Sequence, residues 1–329
     1  MPPVFFFALE DQFNNNGAIQ VRMSNQREQS EPGKGVGYRV WDSHVHCYPD
    51  SVIADPVGFS RRQGEAHWLD LVTNGPQGWS GPDDLIRAMD RDGIEKALLL
   101  GWYWENPATC RLQNEWHADW IQRFPDRLLA AASIHPDDPD PLVQLEQAES
   151  WGAVGVGECL PCKQCPAGWS HPAWEAIIDW TTARGWPINL HVTEPAGHDY
   201  PGRVETPLME LLQLFGNHPR QKWICAHWGG GLPFYHLNHR VRKVLANVWF
   251  DTAAGPLLYA PEVWKSVVNL VGSGRVLFGS DFPLMVYPRK EREPGWAGLL
   301  REAAGSGLEP AELERIFRTN LLELLPGRA

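Results

Sequence analysis

Long hydrophobic runs are missing from this 329-residue chain: no apolar stretch approaches the ~18 residues of a membrane-spanning helix, which sets aside a helical membrane protein. Positive charge is in deficit, with 29 Lys+Arg against 40 Asp+Glu and a formal net charge of -11, so a nucleic-acid backbone would be repelled. The densest basic stretch, Arg289-Lys290-Glu291-Arg292, is interrupted by acid and reads as a solvated loop. Cysteine is sparse: six residues, at 47, 110, 159, 162, 165 and 225, fall at irregular spacings that do not suit a disulfide framework. The apolar residues 3–9 have no basic region ahead of them and make too short a signal core, so a cytoplasmic location is expected.

What is present is an ordinary globular composition, 43% hydrophobic and 21% charged, with 17 tryptophans. Residues 10–36 are polar and carry Asn14-Asn15-Asn16 and a Pro/Gly cluster, so residues 1–36 are expected to be a flexible extension ahead of one domain at 37–329. Eight short apolar runs follow, near 38–43, 95–101, 127–134, 153–158, 187–192, 222–227, 246–252 and 275–281. Their apolar residues are mostly consecutive, the pattern of parallel strands buried on both faces. Helical periods lie between them. The clearest is Leu208, Leu211, Leu212 and Phe215, with Thr206 as N-cap, Pro207 at the first helical position and Gly216 beyond the end. Similar signals frame 82–92, 174–184 and 310–325. Eight such units favour an α/β fold of the closed (β/α)8 TIM-barrel kind over an open doubly wound sheet. Residues 47–80 read as a long connection able to fold over the barrel mouth.

Chemistry-bearing residues collect at the strand ends. Positions two apart share one side of a strand, so Asp42, His44 and His46 are expected together. Glu158 ends the fourth run, His191 the fifth, His227 the sixth and Asp281 the eighth. In a barrel those C-terminal ends converge on one mouth. Imidazole and carboxylate ligands without thiolate suit zinc first, with Mn, Fe, Co or Ni open, as one or two ions. His44, His46 and Asp281 would hold a first ion, His191 and His227 a second, with Glu158 bridging. With one ion, His227 is free to act as acid, base or electrophile.

The pattern Asp42-Ser43-His44-Val45-His46, then His191, then His227-Trp228-Gly229-Gly230-Gly231, then Gly279-Ser280-Asp281-Phe282-Pro283 resembles the amidohydrolase superfamily. It is closest to the amidohydrolase-related group that also holds the aminocarboxymuconate-semialdehyde decarboxylase relatives. The resemblance implies metal ligation by His44, His46, His191 and Asp281, with His227 catalytic or on a second metal. It also implies that Asp281 takes the proton of metal-bound water. Glu158 resembles the fourth-strand carboxylate of TatD-like members, which tilts the expectation to a metal-dependent hydrolase of a small-molecule amide, ester or lactone. The alternative is a non-oxidative decarboxylase of an aromatic or unsaturated acid, needing a cationic residue such as Arg203 or Arg289 to hold the leaving carboxylate. A non-enzymatic metal-binding scaffold is a third reading.

Substrate contacts are expected from Trp102 and Trp228 after strand ends, and from Glu194, His198, Tyr200 and Arg203 in the loop after the fifth strand. A small molecule is the expected partner, and aromatic surface would suit a homodimer. Cys159, Cys162 and Cys165 form C-x2-C-x2-C without the fourth cysteine of an iron–sulfur run and read as free thiols. His135 and Asp251, also at strand ends, read equally as structural or as substrate-facing.

Overall fold

The computed structural model describes residues 37–327 apart from 198, 201, 205 and 206; the expected extension at 1–36, His198 and Thr206 lie outside these residues. Each consecutive apolar run becomes a strand because both its faces are covered. In chain order these are β1 (Val40–Val45), β2 (Ile94–Leu99), β3 (Leu128–Ala130), β4 (Val156–Cys159), β5 (Ile188–Leu190), β6 (Trp223–Cys225), β7 (Val248–Asp251) and β8 (Val276–Leu277). All neighbours pair in parallel, β1 to β3 in one ladder and β4 to β8 in another. Parallel bridges Ala132–Val156 and Val45–Phe282 join the two ladders, closing the eight-stranded barrel.

The helices follow the capping logic of the sequence with one shift. Pro82–Asp92 begins on a proline with Asp83 and Asp84 in its first turn and stops at Gly93, whose φ of 77° lets its N–H reach the Met89 carbonyl. The fifth-loop helix runs Leu208–Asn217, so Pro207 is its N-cap rather than its first residue, and Gly216 lies inside it. The 310–325 stretch is helical as far as Leu324 but carries a π-turn at Arg315–Thr319, where Ile316 and Phe317 enter the core. Phe317 is fully buried against Tyr38 and Phe278. Phe317→Ala is therefore expected to cost about 3–5 kcal/mol. The midpoint of urea unfolding measures this, and a shift worth under ~1 kcal/mol would mean the site collapses without strain.

The connection at residues 47–80 is largely helical. Three short helices, Asp50–Ala54, Pro56–Gln63 and Ala66–Asn74, are separated by Asp55, which caps the second, and by Gly64 in the left-handed conformation. They bury Tyr48, Phe59 and Trp68 with Trp102 and Trp104, an aromatic cluster beside the end of β2. Trp174 and Trp180, on the helix Ala173–Arg184, are core residues.

Candidate metal centre and cavity

The floor of the site starts from β1, which carries Asp42, His44 and His46 into the barrel with less than 3% of each residue exposed. The expectation that Asp42 joins the two histidines fails. Its carboxylate accepts the backbone N–H groups of His44 and Ser280, the Ser280 hydroxyl, and the Trp296 indole N–H at 2.5 Å. Burial pushes this acid up to about 6, against the pull of those donors. Asp42 thus laces β1 to the chain after β8 and offers nothing to a ligand.

Four imidazoles are oriented by acceptors behind them. His44 donates from Nδ1 to Asp251 at 2.9 Å, His46 from Nδ1 to the Leu100 carbonyl at 3.1 Å, and His227 from Nδ1 to the Ala253 carbonyl at 3.2 Å. His191 is turned over, donating from Nε2 to the Gly202 carbonyl at 2.9 Å. With each N–H committed outward, the remaining nitrogens present lone pairs to one another. His44 Nε2 and His46 Nε2 stand 3.2 Å apart, as do His191 Nδ1 and His227 Nε2. Two carboxylates face the same space. Asp281 Oδ1 lies 3.4 Å from His46 Nε2, and the Glu158 oxygens reach in opposite directions, Oε1 2.9 Å from His191 and Oε2 3.7 Å from His46.

Convergent lone pairs repel unless a cation or proton sits between them. The ligand atoms form two groups, His44–His46–Asp281 and Glu158–His191–His227, with atoms in each lying within 4.8 Å of one another. Nitrogens about 2.1 Å from one ion would stand roughly 3.0–3.4 Å apart, which brackets the spacing found, so the residues fit divalent metal. Without metal the site attracts a proton instead: burial works against charge on His44, but Asp251, Glu158 and Asp281 push it up to about 10.

Backbone geometry aims these groups. His227 and Trp228 have φ of 58° and 56°, and Asp281 has 68°, conformations that side-chain-bearing residues rarely adopt and that concentrate at functional sites. Glycines continue the turn after Trp228 for a packing reason. A Cβ on Gly229 would stand 2.5 Å from the Phe250 ring, and one on Gly230 2.5 Å from the Thr193 carbonyl oxygen.

Above the floor lies a cavity of about 210 Å³, reached by Glu158, His191, His227 and Asp281 below and walled by Leu71, Trp102, Tyr103, Leu257, Leu258 and Leu284. Trp102 stacks on His46 with ring centroids 4.2 Å apart and planes 16° from parallel. Tyr200 also lines it, whereas no Lys or Arg does among the described residues. Several expected contacts lie elsewhere. Trp228 is 1% exposed and packs edge-on against Trp264 at 5.1 Å, because the left-handed turn swings it into the core. Glu194 accepts the Tyr200 hydroxyl at 3.3 Å and lines a neighbouring cavity. Arg203 is spent on its own loop, donating to the Pro195 and Gly197 carbonyls and pairing with Asp199, and Arg289 is exposed outside the cavity. His135 holds a turn through Gln164 and Asp137. The cysteines are free, with Cys159 and Cys165 buried and Cys162 exposed.

Asp251 is the residue whose part the sequence left undecided. One oxygen takes His44 and the other accepts the backbone N–H groups of His227 and Ala253, so a single carboxylate orients both ligand groups. Its place at the end of a strand was the available signal. Asp251→Asn is expected to weaken metal binding about 10–100-fold, read by competition with a chromophoric chelator.

The family model for amidohydrolases matches residues 41–327. The chain belongs to the amidohydrolase family. It is an enzyme, and the scaffold reading is set aside. Over 145 residues this amidohydrolase is 28% identical to a 6-methylsalicylic acid decarboxylase of Penicillium expansum; the match covers 34% of this chain and 43% of that one, so it spans less than half of that relative. The structure of 5-carboxyvanillate decarboxylase from Sphingomonas paucimobilis superposes with a TM-score of 0.66 at 13% identity, covering 88% of this chain and 99% of the other. A dihydroxybenzoic acid decarboxylase from Polaromonas sp. JS666, with bound manganese and the inhibitor 2-nitroresorcinol, gives 0.63 at 19% identity, covering 87% and 96%. These likenesses show the TIM-barrel fold.

The expectation of hydrolysis is corrected here, because the relative matched in sequence and the two solved structures named above are decarboxylases. Glu158 carried that tilt, and its setting explains the error. A carboxylate between two histidine groups bears on what the floor can bind, not on which substrate bond breaks.

Proposed function

We propose that this amidohydrolase removes CO2 non-oxidatively from single-ring hydroxylated aromatic acids. The observation that carries the reading is the cavity: about 210 Å³, apolar in its walls, ionic only in its floor, and without a cationic side chain among its described lining residues. It lies below the roughly 300–1,000 Å³ of sites for drug-sized ligands and suits one ring. Loss of CO2 converts ArCOOH to ArH: the ring carbon gains a proton, and the pair of the broken C–C bond returns to the ring. An ortho-hydroxyl feeds electrons to the ring while that carbon is tetrahedral.

A divalent ion held by His44, His46 and Asp281, with His191, His227 and Glu158 alongside, would supply Lewis acidity to the substrate oxygens, with manganese and zinc the first to try. Asp281 carries the proton. Burial would raise its carboxyl, but His46, His44 and His227 hold it below the usual carboxylate range, so it stands ionised with room for the substrate's acidic proton, and its low proton affinity favours handing that proton on to the ring carbon. His227, its Nδ1 fixed by Ala253, presents Nε2 to the departing carboxyl group. Trp102 and the leucine walls exclude water, and a medium without Arg or Lys favours the step that disperses the carboxylate charge.

The test is 6-methylsalicylate with manganese- or zinc-loaded protein in D2O. Release of CO2 with 3-methylphenol carrying one deuterium at the former carboxyl position is expected. No CO2 from this acid or from mono- and dihydroxybenzoates would reject the reading.

Metal affinity has a defined sign with pH. The His44 ring, pushed up to about 10, contributes stability to the metal-free fold that is complete below pH 6.5 and lost as pH rises through 10. Metal must displace that proton. The apparent Kd is therefore expected to fall about tenfold per pH unit between pH 7 and 9. A flat calorimetric titration over that interval would show that His44 carries no proton to displace.

A further inference from the structure

The wall of the inner cavity formed by Leu257 and Leu258 has a second face. The same two residues border another cavity, of about 390 Å³, whose remaining lining includes Leu208, Phe234, Tyr235 and Tyr259. The partition is thin, belonging to the four-residue helix Gly255–Leu258, which is entered through Ala254 at φ 53°. Both leucines are partly exposed.

This outer cavity is apolar where a surface should be wet. Phe234 and Tyr235 are 48% and 53% exposed, and Met209 and Leu237, within two positions of its lining in the chain, are 68% and 70% exposed. Those four are among six large hydrophobic side chains left exposed by the described residues, the other two being Val57 and Val143. Clustered exposure of this kind in a chain of net charge -11 marks a binding surface. Glu194 is the one charged residue among the described lining, and it repels an anionic occupant.

We propose that the outer cavity is a subsite for an uncharged alkyl or alkenyl chain borne by the substrate ring. The inference rests on the decarboxylase reading of the inner cavity and narrows it to aromatic hydroxy acids with a side chain of several carbons. The inner cavity is filled by one ring and its oxygens, so a longer substituent must pass Leu257 and Leu258, and the surface beyond them is the apolar one. The ring then reacts over Asp281 while the chain supplies affinity.

The experiment uses two series of 2-hydroxybenzoates with straight chains of one to nine carbons at position 4 or position 6. In one series kcat/KM is expected to rise about two- to fourfold per methylene before levelling, and a carboxylate at the chain end should cancel the gain. In the double variant Phe234→Ser/Tyr235→Ser the rise should flatten while the one-carbon homologue is unchanged. Flat wild-type series, or an unaltered slope in the double variant, would overturn the proposal. An unaltered slope with a lower sedimentation coefficient would assign the surface to contact between copies of this chain instead. Should no acid release CO2, affinities of the matching alkylphenols, from quenching of tryptophan fluorescence, separate the two claims. A chain-length slope there keeps the subsite and rejects the decarboxylase, and a flat response rejects both.

Discussion

Asp281→Asn is expected to lower kcat/KM for decarboxylation by about 10²–10⁴-fold with the barrel intact, the range lost when a positioned proton carrier is removed. The asparagine keeps an oxygen where Oδ1 stands 3.4 Å from His46 Nε2, but it can neither take a proton nor return one to the ring. Metal content by mass spectrometry must accompany the rate, because Asp281 belongs to a ligand group as well as to the cavity. A variant that keeps its metal and loses the rate supports the proton role. One that keeps both within about tenfold removes it.

Stripping the protein with a pyridine-dicarboxylate chelator is the second large effect. Activity is expected to fall by about 10³-fold or more, several kcal/mol of lost charge stabilisation, and to return with manganese or zinc. The geometric ground is the set of four imidazole lone pairs and two carboxylates turned into one space. Full turnover by protein verified as metal-free would leave that convergence without its proposed purpose. Titrating metal back counts the sites. Recovery complete at one equivalent places the working ion in one group, and a second equivalent assigns work to both.

Much of the architecture was legible because its causes are local. Residues 82–92 read as a helix from Pro82, the acidic first turn and Gly93, and they form one. The eight apolar runs became eight strands in the same order, since consecutive burial on both faces is a property of each run by itself. The helix at 208–217 was found but shifted at both ends. Proline at an N-cap and glycine within a last turn are distinguished by packing rather than by residue type. Residues 47–80 do border the cavity at the barrel mouth, through Leu71, Gly75, Pro76 and Gln77, but their three helices were not legible, because short helices under an aromatic cluster owe their stability to that cluster, as with Trp68 against Phe59 at 5.3 Å, more than to propensity.

For the site, residue type and strand position sufficed to collect His44, His46, Glu158, His191, His227 and Asp281 at one mouth. Direction was another matter. Trp228 follows His227 directly and nonetheless faces the core, and Arg203 sits beside the cavity and nonetheless serves its own loop. Hydrolysis was inferred from Glu158, whose environment matches either chemistry. Size and polarity of the space above the floor bear on the choice, and neither has a signature in spacing.

The sequence by itself determined the parallel barrel and the convergence of its polar strand ends, because a run's burial is written in its own residues and parallel closure brings all C-terminal ends to one side. Only the tertiary structure decided which nitrogens point inward, which acid is structural and how large the cavity is. Those depend on partners remote in the chain. His44 is aimed by Asp251, 207 residues later, and Asp42 is held by Trp296, 254 residues later, and no local pattern encodes contacts at such separations.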